Sequence, residues 1–132
     1  MKTVLITGAS KGIGAEIART LAKEGYNVAI NFNKSESAAV ALKNELEKYT
    51  SVMLVKADVS KYDEVASMVS AVRNKFGSIT HLVCNAGISV TGLLEDMDLC
   101  QCDSVIDTNL KGVIYTVKEV IPDMVKRKSG VI

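Results

Sequence analysis

Eight residues near the start of the chain constrain its fold more than any others: Thr7-Gly8-Ala9-Ser10-Lys11-Gly12-Ile13-Gly14. The apolar run Val4-Leu5-Ile6 precedes them, and Ile13, Ile17 and Leu21 recur at helical spacing through Lys23. A glycine-rich turn between a strand and a helix is credible as a phosphate cradle because of that context. Gly8 allows the tight turn. Gly12 removes a side chain where a backbone must approach a pyrophosphate. Gly14 lets the helix pack close to the sheet. The helix N-terminus then offers free amides and the positive end of its dipole. The Walker type of phosphate loop is excluded, because Gly12 is followed by Ile13 and not by Lys-Ser or Lys-Thr.

The rest of the chain repeats the strand–helix alternation. Gly25 ends the first helix, and Val28-Ala29-Ile30 reads as a second buried strand. Ser35 to Lys48 reads as a helix with Ser35 at its N-cap and Val40, Leu42 and Leu46 apolar. Val52-Met53-Leu54-Val55 is a third strand. Ser60 is placed to cap the next helix, whose stripe is Val65, Met68, Val69, Val72 and Phe76, with Gly77 closing it. Ile79 to Cys84 is a fourth strand. A long helix is expected from Cys102 to Lys128, lined by Val105, Ile106, Val113, Ile114, Val117 and Ile121, with Pro122 kinking or breaking it. Gly130-Val131-Ile132 reads as the beginning of a fifth strand. Apolar strands alternating with helices imply an α/β fold, a Rossmann-type doubly wound parallel sheet with helices on both faces. A three-residue strand at the end is short, so residues 1–132 are expected to be a single, incomplete domain, the front part of a larger one.

Composition excludes several classes. With 132 residues, a single domain is expected. A hydrophobic fraction of 48% and a mean hydropathy of +0.20 exclude general disorder. Sixteen basic and fifteen acidic side chains leave a net charge of +1, which argues against a nucleic-acid surface, as does the scarcity of aromatic residues. No apolar run approaches membrane-spanning length, and Met1-Lys2-Thr3 leads straight into a strand-like run without a signal peptide. Three cysteines and one histidine, with no C-x-x-C or H-x-x-x-H spacing, give no metal site and fit reduced cytoplasmic thiols. His81 and Cys84 are expected to be structural, and Lys126-Arg127-Lys128 to be favourable charge at a helix C-terminus.

Further candidates stand at the ends of the strands, on the ligand side of such a sheet. The second strand ends Asn31-Phe32-Asn33-Lys34-Ser35, with no acid before Glu36. A ribose-binding acid is thus missing, while Lys11 and Lys34 are available for a 2′-phosphate, with Asn33 beside them. This favours NADP(H) over NAD(H), although both lysines would otherwise be solvated surface residues. Asp58, in Ala57-Asp58-Val59, is able to accept from an adenine amino group, or is a loop acid. Asn85-Ala86-Gly87 suits close approach to a ribose, or is a plain turn. Asn109 is a polar residue within an apolar helix, where asparagine competes for the backbone. It marks either an exposed face or a helix distortion near a site.

Taken in order, T-G-A-S-K-G-I-G, the A-D-V around Asp58, N-A-G after the fourth strand and T-N-L around Asn109 resemble the short-chain dehydrogenase/reductase family. Within it the chain is most similar to bacterial 3-oxoacyl-acyl-carrier-protein reductases, and the resemblance spans the whole chain. It implies a Rossmann fold that binds a nicotinamide dinucleotide and moves a hydride to or from a carbonyl or alcohol carbon. By resemblance Gly8, Ser10, Gly12, Ile13 and Gly14 hold the pyrophosphate side, Thr7 and Lys11 belong to the same cofactor-binding stretch, and Asp58 and Val59 flank the adenine. Asn85, Ala86 and Gly87 line the ribose and nicotinamide side. Asn109 matches the family's catalytic asparagine, whose helix distortion supports a water in the proton relay. The substrate implied is an acyl-carrier-protein thioester or a small carbonyl compound. Homo-oligomers packing through helix 102–128 are implied as well.

The departures are specific. Cys84 stands where the family often has Asn, and Cys102 where a Trp is common. Tyr26, Tyr49, Tyr62 and Tyr115 all lack a lysine four residues on, so the family's Tyr-x-x-x-Lys and its serine are absent from these residues. A free tyrosine, with a pKa of about 10, is a poor donor at neutral pH. Two readings follow. One is the cofactor-binding half of an NADP(H)-dependent oxidoreductase. The other is a catalytically silent nucleotide-binding or interaction module, or at the extreme a relic that barely folds. Either way the fourth strand and the long helix are expected to leave apolar surface uncovered.

Overall fold

The computed structural model describes residues 1–132. The apolar runs become strands because each can be buried on both faces. They are β1 (Thr3–Ile6), β2 (Asn27–Phe32), β3 (Val52–Lys56) and β4 (His81–Val83), in the spatial order β3-β2-β1-β4. All pairings are parallel, with Leu5 opposite Ala29 on one side and Leu82 on the other. The expected fifth strand is a single bridge, Val131 to His81.

Alternation along the strands divides the core. Val4, Ile6, Val28 and Ile30 face α1 (Gly12–Lys23) and α2 (Glu36–Leu46). Leu5, Ala29 and Leu82 face α3 (Tyr62–Phe76) and α5 (Gly112–Arg127). The α/β architecture with helices on both faces is therefore as expected. The order 3-2-1-4 reverses between β1 and β4, where such sheets hold their ligands.

Helix details differ from expectation. Gly14, Ala15, Ala18 and Ala22 form the buried stripe of α1, and Ile13 is 76% exposed. Small residues win because they let the helix lie closer to the sheet. Ile17 and Leu21 pack only at its margin. On α2, Ala39, Leu42 and Leu46 are buried and Val40 is exposed. Ser35 is the N-cap residue, but its side chain makes no capping bond. Ser60 does not cap α3, whose N-cap is Lys61. The Ser60 hydroxyl instead donates to Asp58 Oδ1 at 2.7 Å.

The long helix begins three residues earlier than expected. It consists of α4 (Leu99–Ile106), a π-helical turn (Asp107–Lys111) and α5. Asp98 and Gln101 form a capping box at its start. Pro122 does not break it. The carbonyl deprived of a donor belongs to exposed Lys118, and Arg73 of α3 holds the next turn by bonding to the Glu119 carbonyl and to Asp123. Its buried side is Gly112, Thr116, Val120 and Met124, not the expected stripe. Ile106, Leu110, Ile114 and Ile121 are 51, 54, 52 and 42% exposed.

Arg127 does more than complement the helix dipole, since its Nη2 donates to the Ile79 and Ser129 carbonyls. Burial pushes the Cys84 thiol pKa up, which keeps it protonated and poorly nucleophilic. His81 meets Tyr26 edge to face. Burial, then the charges of Lys2 and Arg127, hold its pKa below the ordinary 6.5. The unfolded chain therefore takes up this proton first as pH falls. Stability carried by neutral His81 is expected to be full above pH 6.5 and lost progressively below it. Denaturant melts from pH 7.5 to 5 should show this slope, and His81→Gln should reduce it.

Candidate functional site

At the reversal point the loops after β1 and β4 are stitched together. The Thr7 hydroxyl accepts from the amides of Asn85 and Ala86, both at 3.0 Å. Asn85 Nδ2 donates to the carbonyls of Thr7 (3.0 Å) and Gly8 (2.9 Å). Gly8 has φ +61°, and a Cβ there would lie 2.8 Å from Ala86 Cα. A Cβ on Gly14 would lie 2.6 Å from Asn85 Nδ2. The glycine pattern thus follows from close packing of loop on loop as well as from access to a ligand.

These loops open onto a cleft of about 630 Å³. Of the candidate residues, Gly8, Ser10, Lys11, Asn33, Lys34, Asp58, Val59, Asn85, Ala86 and Gly87 line it. Thr7 is buried behind the wall, where it ties the two loops together. Gly12 and Ile13 are exposed beside Lys11, at the first turn of α1, and Gly14 is buried under that turn. Asn109 does not line the cleft. Its Oδ1 accepts from the Ile88 amide and its Nδ2 donates to the Ile88 carbonyl, both at 2.8 Å. It therefore pins the loop after β4 to the π turn. The helix distortion expected around Asn109 is that turn, in which the Gly112 amide reaches back five residues to the Asp107 carbonyl.

The chemistry of the walls suits an extended anion. The first turn of α1 contains no acid, and its leading amides have no intrahelical acceptors. The helix end is thus an uncompensated positive pole. Lys11 and Lys34 add exposed positive charge at the mouth. Asp58 is half-buried at the other end. Its Oδ1 accepts from the Ser60 amide (3.0 Å) and hydroxyl, which leaves Oδ2 without a protein partner. The donor set and the open space at Gly12, where a Cβ would meet nothing within 4 Å, fit a dinucleotide laid across the strand ends.

Among the cleft residues outside the predicted set, four polar ones stand out. Ser104, Asp107 and Thr108 reach the cleft from α4 and the π turn; Thr108 is the threonine of the T-N-L motif, whereas nothing local distinguishes Ser104 and Asp107 from the other polar residues of that helix. Asn31 was detectable, as a polar residue inside the otherwise apolar Val28-Ala29-Ile30-Asn31-Phe32.

Comparison with known proteins agrees with this geometry. The family model for short chain dehydrogenases matches residues 2–132. The 3-oxoacyl-acyl-carrier-protein reductase FabG of Staphylococcus epidermidis is 46% identical over 132 residues, 99% of this chain and 54% of that protein. The enzyme of the same name from Staphylococcus aureus strain N315 is 45% identical over the same shares. An alcohol dehydrogenase from the archaeon Thermococcus sibiricus, solved with 5-hydroxy-NADP, superposes with a TM-score of 0.92 at 32% identity. That match covers 99% of this chain and 56% of the other. The chain thus spans about half the length of these relatives. No helix is long and apolar enough to cross a membrane.

Proposed function

Since the chain belongs to the short chain dehydrogenase family, we propose that its cleft binds a nicotinamide dinucleotide, NADP(H) in preference to NAD(H), in the service of carbonyl reduction. The observation that carries this is the acid-free N-terminus of α1 opening on the same cleft as Lys11, Lys34 and Asp58. Gly8, Ser10 and the leading amides of α1 would hold the pyrophosphate, and Lys11 and Lys34, with Asn33, the 2′-phosphate. Asp58 Oδ2 is free to accept from the adenine, with Val59 beside it. Asn85, Ala86 and Gly87 would face the ribose and nicotinamide. When bound, a reduced nicotinamide supplies hydride. The chain's own residues bind and orient. The part we propose for Asn109 in the reaction is to hold open the π turn, through its two bonds to Ile88, as the place for a water in a proton relay.

The relatives' names suggest a 3-oxoacyl thioester on acyl carrier protein, or another small carbonyl compound, as the substrate class. Residues 1–132 contain no Tyr-x-x-x-Lys, so this chain by itself is expected to bind cofactor without appreciable turnover. Association of copies through the exposed side of α4 and α5 and a cytoplasmic setting complete the reading.

Titration of NADPH fluorescence tests it directly. Binding in the micromolar range supports the proposal, and no binding at millimolar NADPH refutes it. Lys34→Glu is expected to weaken NADPH about tenfold, equivalent to ~1.4 kcal/mol, and to leave NADH within about twofold. An equal loss for both cofactors would remove Lys34 from 2′-phosphate recognition.

A further inference from the structure

Asn31 is 2% exposed and lies between Ile30 and Phe32 near the end of β2. Its side chain reaches both neighbouring strand ends. Oδ1 accepts from the Gly8 amide at 3.0 Å. Nδ2 donates to the carbonyls of Ala57 at 3.1 Å and Val55 at 3.3 Å. Its own carbonyl accepts from the Ala9 amide at 2.9 Å. One residue thus grips the start of the glycine loop and the residue immediately before Asp58.

Those two segments have no other direct tie. β2 separates β1 from β3 in the sheet, and no hydrogen bond runs between residues 7–11 and residues 57–60. The apolar β-branched residue that strand propensity would favour at this position would leave the part-buried Gly8 amide without its acceptor. It would also leave the Val55 and Ala57 carbonyls without the buried donor they now share, and unsatisfied buried polar groups are costly. The amide side chain is suited to this place because it accepts on one side and donates on the other.

We infer that Asn31 is a positioning residue, which sets the spacing between the glycine loop and the Asp58 loop and so couples the two ends of the cleft. The inference rests on the dinucleotide reading above. A ligand spanning both ends needs that spacing, whereas a ligand confined to the Asp58 end does not. NADP⁺ is the spanning probe. Adenosine, which has neither a 2′-phosphate for Lys11 nor a 5′-phosphate for the glycine loop, is the confined one.

Both are titrated into the wild-type chain and Asn31→Ala. The expected result is at least a tenfold loss of NADP⁺ affinity, with adenosine changed less than twofold. Equal losses for the two probes, or an unchanged NADP⁺ affinity, would overturn the coupling role while leaving the cofactor reading intact. Failure of the wild-type chain to bind NADP⁺ would overturn both. Should Asn31→Ala not fold, amide exchange in the wild-type chain decides the matter. Saturation with adenosine should slow exchange at Gly8 and Ala9 at least threefold, and unchanged exchange there would refute the inference.

Discussion

Gly8→Ala is expected to destabilise the chain by about 3 kcal/mol and to weaken dinucleotide binding more than tenfold. Two costs add. A side chain at φ +61° is in the left-handed region, which costs an L-residue roughly 1–2 kcal/mol. The new Cβ would also meet Ala86 Cα at 2.8 Å, Ala86 Cβ at 3.1 Å and Ala86 N at 3.2 Å. These atoms belong to a loop already fixed by three hydrogen bonds to Thr7 and another to Gly8. The loop cannot move without breaking them, so overpacking of ~1–3 kcal/mol follows. Against a typical total of about 5–15 kcal/mol, the melting temperature should fall by roughly 10 °C.

Gly12→Ala is the internal control. It shares φ +61°, but its Cβ would point into open space, so only the conformational cost remains. Thermal melts of the two variants separate the terms. If Gly8→Ala melts no lower than Gly12→Ala, the Ala86 loop yields and the stitched-loop account fails. For binding, the proposal predicts that Gly12→Ala loses NADPH affinity despite its smaller effect on stability, because the added methyl occupies the space left for the pyrophosphate.

The second large effect concerns the uncovered side of α4 and α5. Ile106, Leu110, Ile114, Val117, Ile121 and Val125 follow one another at intervals of three and four, and all but the half-buried Val117 are exposed. The accessible surface is 7491 Å², against roughly 6,700 Å² expected for a folded chain of this mass. The excess is about a tenth, in keeping with an unfilled sheet edge and an uncovered helix side. The wild-type chain is expected to bind an apolar dye and to associate as its concentration rises. The triple variant Leu110→Lys, Ile114→Glu, Ile121→Glu should reduce dye fluorescence several-fold and abolish association. Its melting point should change little, since exposed substitutions usually stay within ~0.5 kcal/mol each. Sedimentation and dye titration test this. A wild-type chain that binds no dye and sediments as a monomer at high concentration would refute it.

How far the sequence could be read depended on the range of the interaction. Gly25 and Gly77 follow the last turns of α1 and α3 as expected, because a helix end is decided within a few residues. The strands also came out close to expectation, β4 being shorter than Ile79–Cys84. Errors gathered where a helix had two apolar sides. The α1 sequence offers Ile13, Ile17 and Leu21 on one side and Gly14, Ala18 and Ala22 on another, and periodicity cannot rank them. The sheet selected the small side because close approach buries more backbone and β-carbon surface. The same choice turned Ile106, Leu110 and Ile114 outward and buried Gly112 against Val59, where a Cβ would lie 2.7 Å from Val59 Cγ2.

At the candidate site the division is similar. The glycine loop and Asn109 could be picked out because each is an unusual residue type in its local pattern, and Asp58 and Asn85 because they stand at the ends of strands. What each does was not. Asn85 and Thr7 brace the loops, Asn109 grips Ile88, and Asn31 spans three strand ends; these bonds join residues 21 to 79 positions apart. The sequence by itself determined the alternation of strands and helices, the parallel sheet and the loop at the head of α1, since local backbone geometry and apolar spacing suffice for these. Only the tertiary structure decided which helix sides are buried, which asparagines carry the cleft and how Lys11, Lys34 and Asp58 come to share it. Those outcomes depend on packing and hydrogen bonds between segments that meet only after the sheet has formed.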